Sequence, residues 1–107
     1  MSSVQQLTPA EARELLARDA GTVLLDVRED WEFARVHVEG SRPIPMDELP
    51  DRLEELNPEH TLVVLCHHGN RSQQVAIWLQ SHGYDVNNVA GGIEAWAETV
   101  DPALPRY

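Results

Sequence analysis

Residues 61–72 run Thr61-Leu62-Val63-Val64-Leu65-Cys66-His67-His68-Gly69-Asn70-Arg71-Ser72: an unbroken apolar stretch, then a polar loop. The first half has the length and the valine content of a strand buried on both faces. The second half passes directly into a helical pattern, with Val75, Trp78 and Leu79 on one face and Gly83 as its stop. Cys66 therefore closes a buried strand, and Arg71-Ser72 open the helix that follows. A loop this short can curl around the cysteine side chain and turn several backbone N–H groups inward. The helix N-terminus adds unpaired donors and a partial positive charge. Gly69 and Asn70 both tolerate the left-handed dihedrals such a curl needs. A thiolate, or any anion attached to that sulfur, is favoured in this setting.

The same alternation extends in both directions. Upstream, Thr8-Pro9-Ala10-Glu11 fits a capping box with proline at the first helical position. Ala12, Leu15 and Leu16 then share a helical face, with Gly21 as the stop. Thr22 to Asp26 reads as a buried strand and Asp30 to Arg35 as a short helix. Arg42 to Pro45 is at most a brief strand, placed at an edge by its two prolines. Leu49, Leu53 and Leu56, at i, i+4 and i+7, predict an amphipathic helix ending before Asn57-Pro58. Downstream, Val86 to Val89 reads as a strand. Ile93, Trp96 and Ala97 mark a last helix, before the tail Asp101 to Tyr107.

Apolar strands alternating with amphipathic helices imply an α/β fold with a central parallel sheet and helices on both faces. Right-handed crossovers then bring the strand C-termini to one edge, where open α/β sheets bind ligands. Asp26, Cys66 and Gly91-Gly92 each close a strand, so three segments converge there.

Composition sets outer bounds. A chain of 107 residues, 42% of them apolar, suffices for one domain spanning residues 1–107. No apolar run approaches the roughly 18 residues of a membrane span. Met1 to Leu7 lacks the basic and apolar regions of a signal peptide, so a cytoplasmic protein is expected. Eighteen acids against eight bases, all of them arginine, give a net charge of −10. That surface disfavours nucleic acid and anionic membranes as partners. An anion site must act locally, within a Debye length of about 8 Å. With one cysteine, no internal disulfide and no zinc knuckle can form.

Cys66-His67-His68-Gly69-Asn70-Arg71-Ser72 resembles the active-site loop of rhodanese-like sulfurtransferases, above all bacterial single-domain forms. Leu25-Asp26-Val27-Arg28-Glu29 with Trp31-Glu32-Phe33 matches the same family. So do His37-Val38-Glu39-Gly40-Ser41 with Ile44-Pro45, and Gly91-Gly92-Ile93-Glu94-Ala95-Trp96. Four such segments in the family's order cover the chain from about Thr8 onward. The resemblance implies an α/β fold with a parallel sheet and a cysteine that accepts a sulfane sulfur as a persulfide. It implies a small-molecule donor such as thiosulfate, a thiol or cyanide as acceptor, and no metal or organic cofactor. A protein sulfur donor or acceptor is compatible with it. Carried over by position, Cys66 is the nucleophile, His67, His68, Gly69, Asn70 and Arg71 form the substrate-binding cradle, and Arg71 is its cation. Thiosulfate enzymes of the family often have two loop cations; here there are Arg71 and two histidines, which weakens thiosulfate as a donor. Related phosphatases and arsenate reductases have Cys-x5-Arg; the tighter Cys-x4-Arg spacing here suits one extra sulfur atom rather than a phosphoryl group. The alternative from another class is a sulfur-carrier or interaction module that docks a partner with little turnover.

The remaining residues carry two readings each. The rings of His67 and His68 either titrate at the pocket mouth or are solvated while their backbones form the cradle. The solvated reading is preferred for His67, and the two stand level for His68. Asp26 and Arg28 either act on substrate or support the site as an ion pair, and support is preferred. His37 is expected to be buried and hydrogen-bonded rather than a distant base. Gly91-Gly92 is expected to turn tightly and approach Cys66. Trp31, Trp78 and Trp96 are assigned to the core or its rim.

Overall fold

Thr8 and Glu11 form the expected reciprocal cap: the Glu11 N–H donates to Thr8 Oγ1 at 3.1 Å and the Thr8 N–H to Glu11 Oε1 at 2.8 Å. In this computed structural model, which describes residues 4–107, that cap starts α1 (Pro9–Arg18). Met1 to Ser3, where the stretch lacking signal-peptide features begins, lie outside the described residues. Three further helices follow, α2 (Asp30–Arg35), α3 (Asn70–Ser81) and α4 (Gly92–Thr99). The strands are β1 (Gln5–Leu7), β2 (Val23–Asp26), β3 (Arg42–Pro43), β4 (Leu62–Leu65) and β5 (Val86–Val89). They form one parallel sheet in the order β1-β5-β4-β2-β3. The α/β architecture inferred from the alternating pattern is the one observed.

Side chains alternate across each strand, so the sheet divides the core into two layers. Leu25, Leu62, Val64 and Cys66 pack with Val75, Ala76 and Leu79 of α3 and with Leu49 and Leu56. On the other face, Leu24, Val63, Leu65 and Val89 pack with Ala12 of α1 and with Ile93 and Trp96 of α4. All four residues of β4 are completely buried, as their unbroken apolar run requires. Among the described residues no helix is long and apolar enough to cross a membrane.

Three elements differ from expectation. Residues 46–55 form a 3-10 segment with a kink at Arg52 rather than a regular α-helix. Pro50 explains this, because it lacks the N–H an α-helical turn needs, while Leu49 and Leu56 are still buried. The edge strand β3 stops at Pro43. The third difference is β1, which pairs with β5 in the register Gln5↔Asn87, Gln6↔Asn88 and Leu7↔Val89. Its mostly exposed, polar residues carry no alternating pattern that would announce a strand.

Candidate active site

The central strand β4 delivers Cys66 to the C-terminal edge of the sheet, between β5 and β2. The residue is buried, and with His67, His68, Asn70 and Arg71 it lines a pocket of about 250 Å³. The Gly69 N–H donates to Cys66 Sγ at 3.1 Å, so the loop curls back on the sulfur as its glycine predicts. Gly69 has φ +100°; Asn70 is the first residue of α3 and is not left-handed, so one residue makes the turn instead of two.

The N-terminus of α4 fixes the loop from outside. Ile93 N–H donates to the Cys66 carbonyl at 2.8 Å, and Glu94 N–H to the His67 carbonyl at 3.1 Å. Gly92 makes this approach possible: its φ is +63°, and a Cβ there would fall within the contact radii of both carbonyls. Gly91-Gly92 thus brings its loop against Cys66, as expected. On the inner side, Ser72 Oγ donates to Asn88 Oδ1 at 2.5 Å, and Asn88 Nδ2 donates to the Gly69 carbonyl at 3.3 Å and to Gln6 Oε1 at 2.9 Å. Asn88 is a polar residue buried in a strand. Its polar character within the stretch Val86 to Val89, read as a strand, is the sequence signal that could have marked it as a loop support.

Asp26 and Arg28 form a buried pair, with both side chains fully inaccessible. Arg28 Nε donates to Asp26 Oδ1 at 2.9 Å, while one terminal nitrogen bonds Asp26 Oδ2 and the Val36 carbonyl, each at 2.7 Å. The other donates to Tyr107 Oη at 2.9 Å. This placement favours the supporting reading.

Arg71 reaches the pocket but is not a free cation. Its two terminal nitrogens donate to the two Glu32 oxygens at 2.6 and 2.9 Å. Glu32 also accepts the Tyr107 hydroxyl at 2.6 Å and the Glu29 N–H at 3.0 Å. Burial alone would raise the Glu32 carboxyl; the Arg71 and Tyr107 hydrogen bonds outweigh it and hold the group at about 2. Burial, and then the bond to Glu32, push the Tyr107 phenol up to about 12. Glu32 sits within a matched stretch, yet nothing local signals its role. Its side-chain partners, Arg71 and Tyr107, lie 39 and 75 residues away in sequence.

The histidines depart from expectation. His67 is half-buried rather than solvated, its ring stacked between His68 and Tyr107 with centroids 4.0 Å from each. Burial, then the neighbouring His68, lower its pKa. His68 is exposed. His37 is exposed, not buried: it stacks on Phe33 and its Nδ1 lies 2.9 Å from the Phe33 carbonyl. It lies two residues past the end of α2, where the chain returns to the surface beyond the buried Val36. Trp96 is in the core, Trp78 is partly buried, and Trp31 lies 59% exposed on the rim against Tyr107. His67, His68 and Glu94 bring three ligand atoms within 4.8 Å of one another. The two imidazoles stack face to face instead of converging on a common point, and Arg106 already bonds one Glu94 oxygen, so the set is poorly arranged for a tetrahedral cation.

The rhodanese-like domain model matches residues 8–99. The chain is 35% identical over 100 residues to the thiosulfate sulfurtransferase GlpE of Stutzerimonas stutzeri, covering 92% of this chain and 90% of that protein. It is 44% identical over 89 residues to the rhodanese-like/PpiC domain-containing protein 12, chloroplastic, of Arabidopsis thaliana, covering 78% of this chain and 30% of that one. The crystal structure of a rhodanese-like domain protein from Staphylococcus aureus superposes with a TM-score of 0.83 at 32% identity, over 97% of this chain and 99% of that one. Sequence and fold agree, and the chain belongs to the rhodanese-like domain family.

Proposed function

We propose that this protein is a sulfurtransferase that moves a sulfane sulfur from a small donor such as thiosulfate to a thiophilic acceptor through a persulfide on Cys66. The Cys66 thiolate attacks the outer sulfur of thiosulfate; the S–S bond breaks and sulfite leaves with its electron pair. Cyanide or a thiolate then attacks the terminal sulfur and carries it away, which restores the thiolate. Charge is conserved in both steps.

The observation that carries this reading is the Gly69 N–H at 3.1 Å from Cys66 Sγ, within a loop of four residues between Cys66 and Arg71. A four-residue loop with an amide closed onto the sulfur suits one added sulfur atom better than the wider Cys-x5-Arg cradle that holds a tetrahedral phosphoryl group. The same inward amide would stabilise the negative charge of a persulfide. The buried Asp26–Arg28 pair ties the end of β2 to the Val36 carbonyl and the Tyr107 hydroxyl and takes no part in the chemistry. Cys66→Ser tests the reading: the variant should fold and make no thiocyanate from thiosulfate and cyanide. Substantial turnover in that variant, or faster hydrolysis of aryl phosphates than thiocyanate formation by the wild type, would overturn it.

A further inference from the structure

Arg71 is the one guanidinium lining the Cys66 pocket among the described residues, and its charge is already met. Both of its terminal nitrogens bond Glu32, whose side chain is only 4% exposed, against 36% for Arg71. Water therefore screens the carboxylate poorly. Glu32 is also held in place: the Glu29 N–H and the Tyr107 hydroxyl occupy the same two oxygens, and Tyr107 is itself tied to Arg28. The imidazole of His67 is biased toward its neutral form by burial and by His68. On the far side of Arg71, a second cavity of about 400 Å³ has Glu29, Asp30, Asp47 and Glu48 in its walls. A donor thus approaches a neutralised ion pair with further carboxylates beyond it, on a protein of net charge −10.

We propose that Glu32 is a positioning residue that sets how much of the Arg71 charge the Cys66 pocket feels, so that the site favours singly charged or uncharged sulfane donors, such as thiosulfonates and persulfides, over doubly charged ones. The donor half of this proposal rests on the sulfur-transfer reading; the electrostatic half does not. With methanethiosulfonate the Cys66 thiolate attacks the sulfane sulfur, the S–S bond breaks, and methanesulfinate leaves with the electron pair. The reaction matches that of thiosulfate except that the donor carries one negative charge fewer. Coulomb energy scales with donor charge, so Glu32 discriminates between the two.

The test compares two reagent pairs, each differing by one unit of charge: iodoacetate with iodoacetamide as alkylators of Cys66, and thiosulfate with methanethiosulfonate as donors. Both are measured in the wild type, Glu32→Gln, Arg71→Gln and the double variant, with cooperative melting as the check on folding. Glu32→Gln keeps a hydrogen-bonding side chain and removes the charge. It should shift the alkylation ratio and the kcat/KM ratio toward the more anionic reagent by roughly threefold each. Arg71→Gln should shift both ratios the other way, and the double variant should bring the alkylation ratio back to the wild-type value. A purely structural role changes both members of a pair alike and leaves the ratios fixed. Unmoved ratios in a folded Glu32→Gln overturn the proposal, and if that variant does not fold, unmoved ratios in Arg71→Gln overturn it equally. Shifted alkylation ratios in a protein that accepts sulfur from neither donor overturn the sulfur-transfer reading and the donor half with it, leaving the electrostatic role of Glu32 standing.

Discussion

Gly92→Ala strikes the contact that holds the Cys66 loop in shape. Gly92 has φ +63°, and a Cβ there would overlap the carbonyl groups of Cys66 and His67. A left-handed backbone costs an alanine about 1–2 kcal/mol. Overpacking against backbone that cannot rotate away adds about 1–3 kcal/mol. The combined loss of about 2–5 kcal/mol is a large share of the roughly 5–15 kcal/mol that holds an ordinary domain folded. Gly83 supplies the control: it has φ +90°, but a Cβ there meets nothing within 4 Å. Gly83→Ala should therefore lose only the backbone cost of about 1–2 kcal/mol and keep its activity. Urea unfolding of both variants, with unchanged m-values, reads the difference as a shift in midpoint. Gly92→Ala should also lose sulfur transfer, because relieving the overlap moves the carbonyls that Ile93 and Glu94 N–H groups now hold. A Gly92→Ala protein no less stable than Gly83→Ala, and fully active, would refute the close-contact argument.

Arg28→Met should cost about 3–5 kcal/mol, because it strands the Asp26 carboxylate in a site with no access to water. Adding Asp26→Asn should recover part of that loss in chemical denaturation, whereas no recovery would make packing rather than charge the cause. Acid stability should depend on Glu32. Its carboxyl sits at about 2 in the folded protein against an ordinary 4.5, so its contribution is complete above pH 4.5 and is lost as pH falls toward 2. The shift corresponds to on the order of 3 kcal/mol, and the acid limb of a stability-against-pH curve should flatten in Glu32→Gln. An unchanged acid limb would contradict the assignment.

Much of this architecture is legible in short stretches of sequence because local physics dictates it. The run at residues 62–65 can only be buried on both faces. The Thr8–Glu11 cap forms from neighbours, and Gly69 and Gly91-Gly92 stand where the chain must turn left-handed or be approached closely. These features place Cys66 at the sheet edge. Other features depend on partners distant in sequence. Glu32 becomes an acceptor for four donors only when α3 and the tail arrive, bringing Arg71 and Tyr107. Gln5 to Leu7 forms a strand because β5 offers it an edge, not because its polar residues favour one. The burial of His67 likewise comes from Tyr107 folding over it. Local signals therefore locate the cysteine, whereas the charge it meets is set by tertiary contacts.

The central claim, that Cys66 carries the transferred sulfur, is tested most directly by intact mass spectrometry of the protein before and after incubation with excess thiosulfate, and again after cyanide. The account predicts a gain of one sulfur atom, located on Cys66 and absent from Cys66→Ser, and its complete removal by cyanide with release of thiocyanate. An unchanged mass after thiosulfate while the wild type still produces thiocyanate, or an added mass on any other residue, would contradict it.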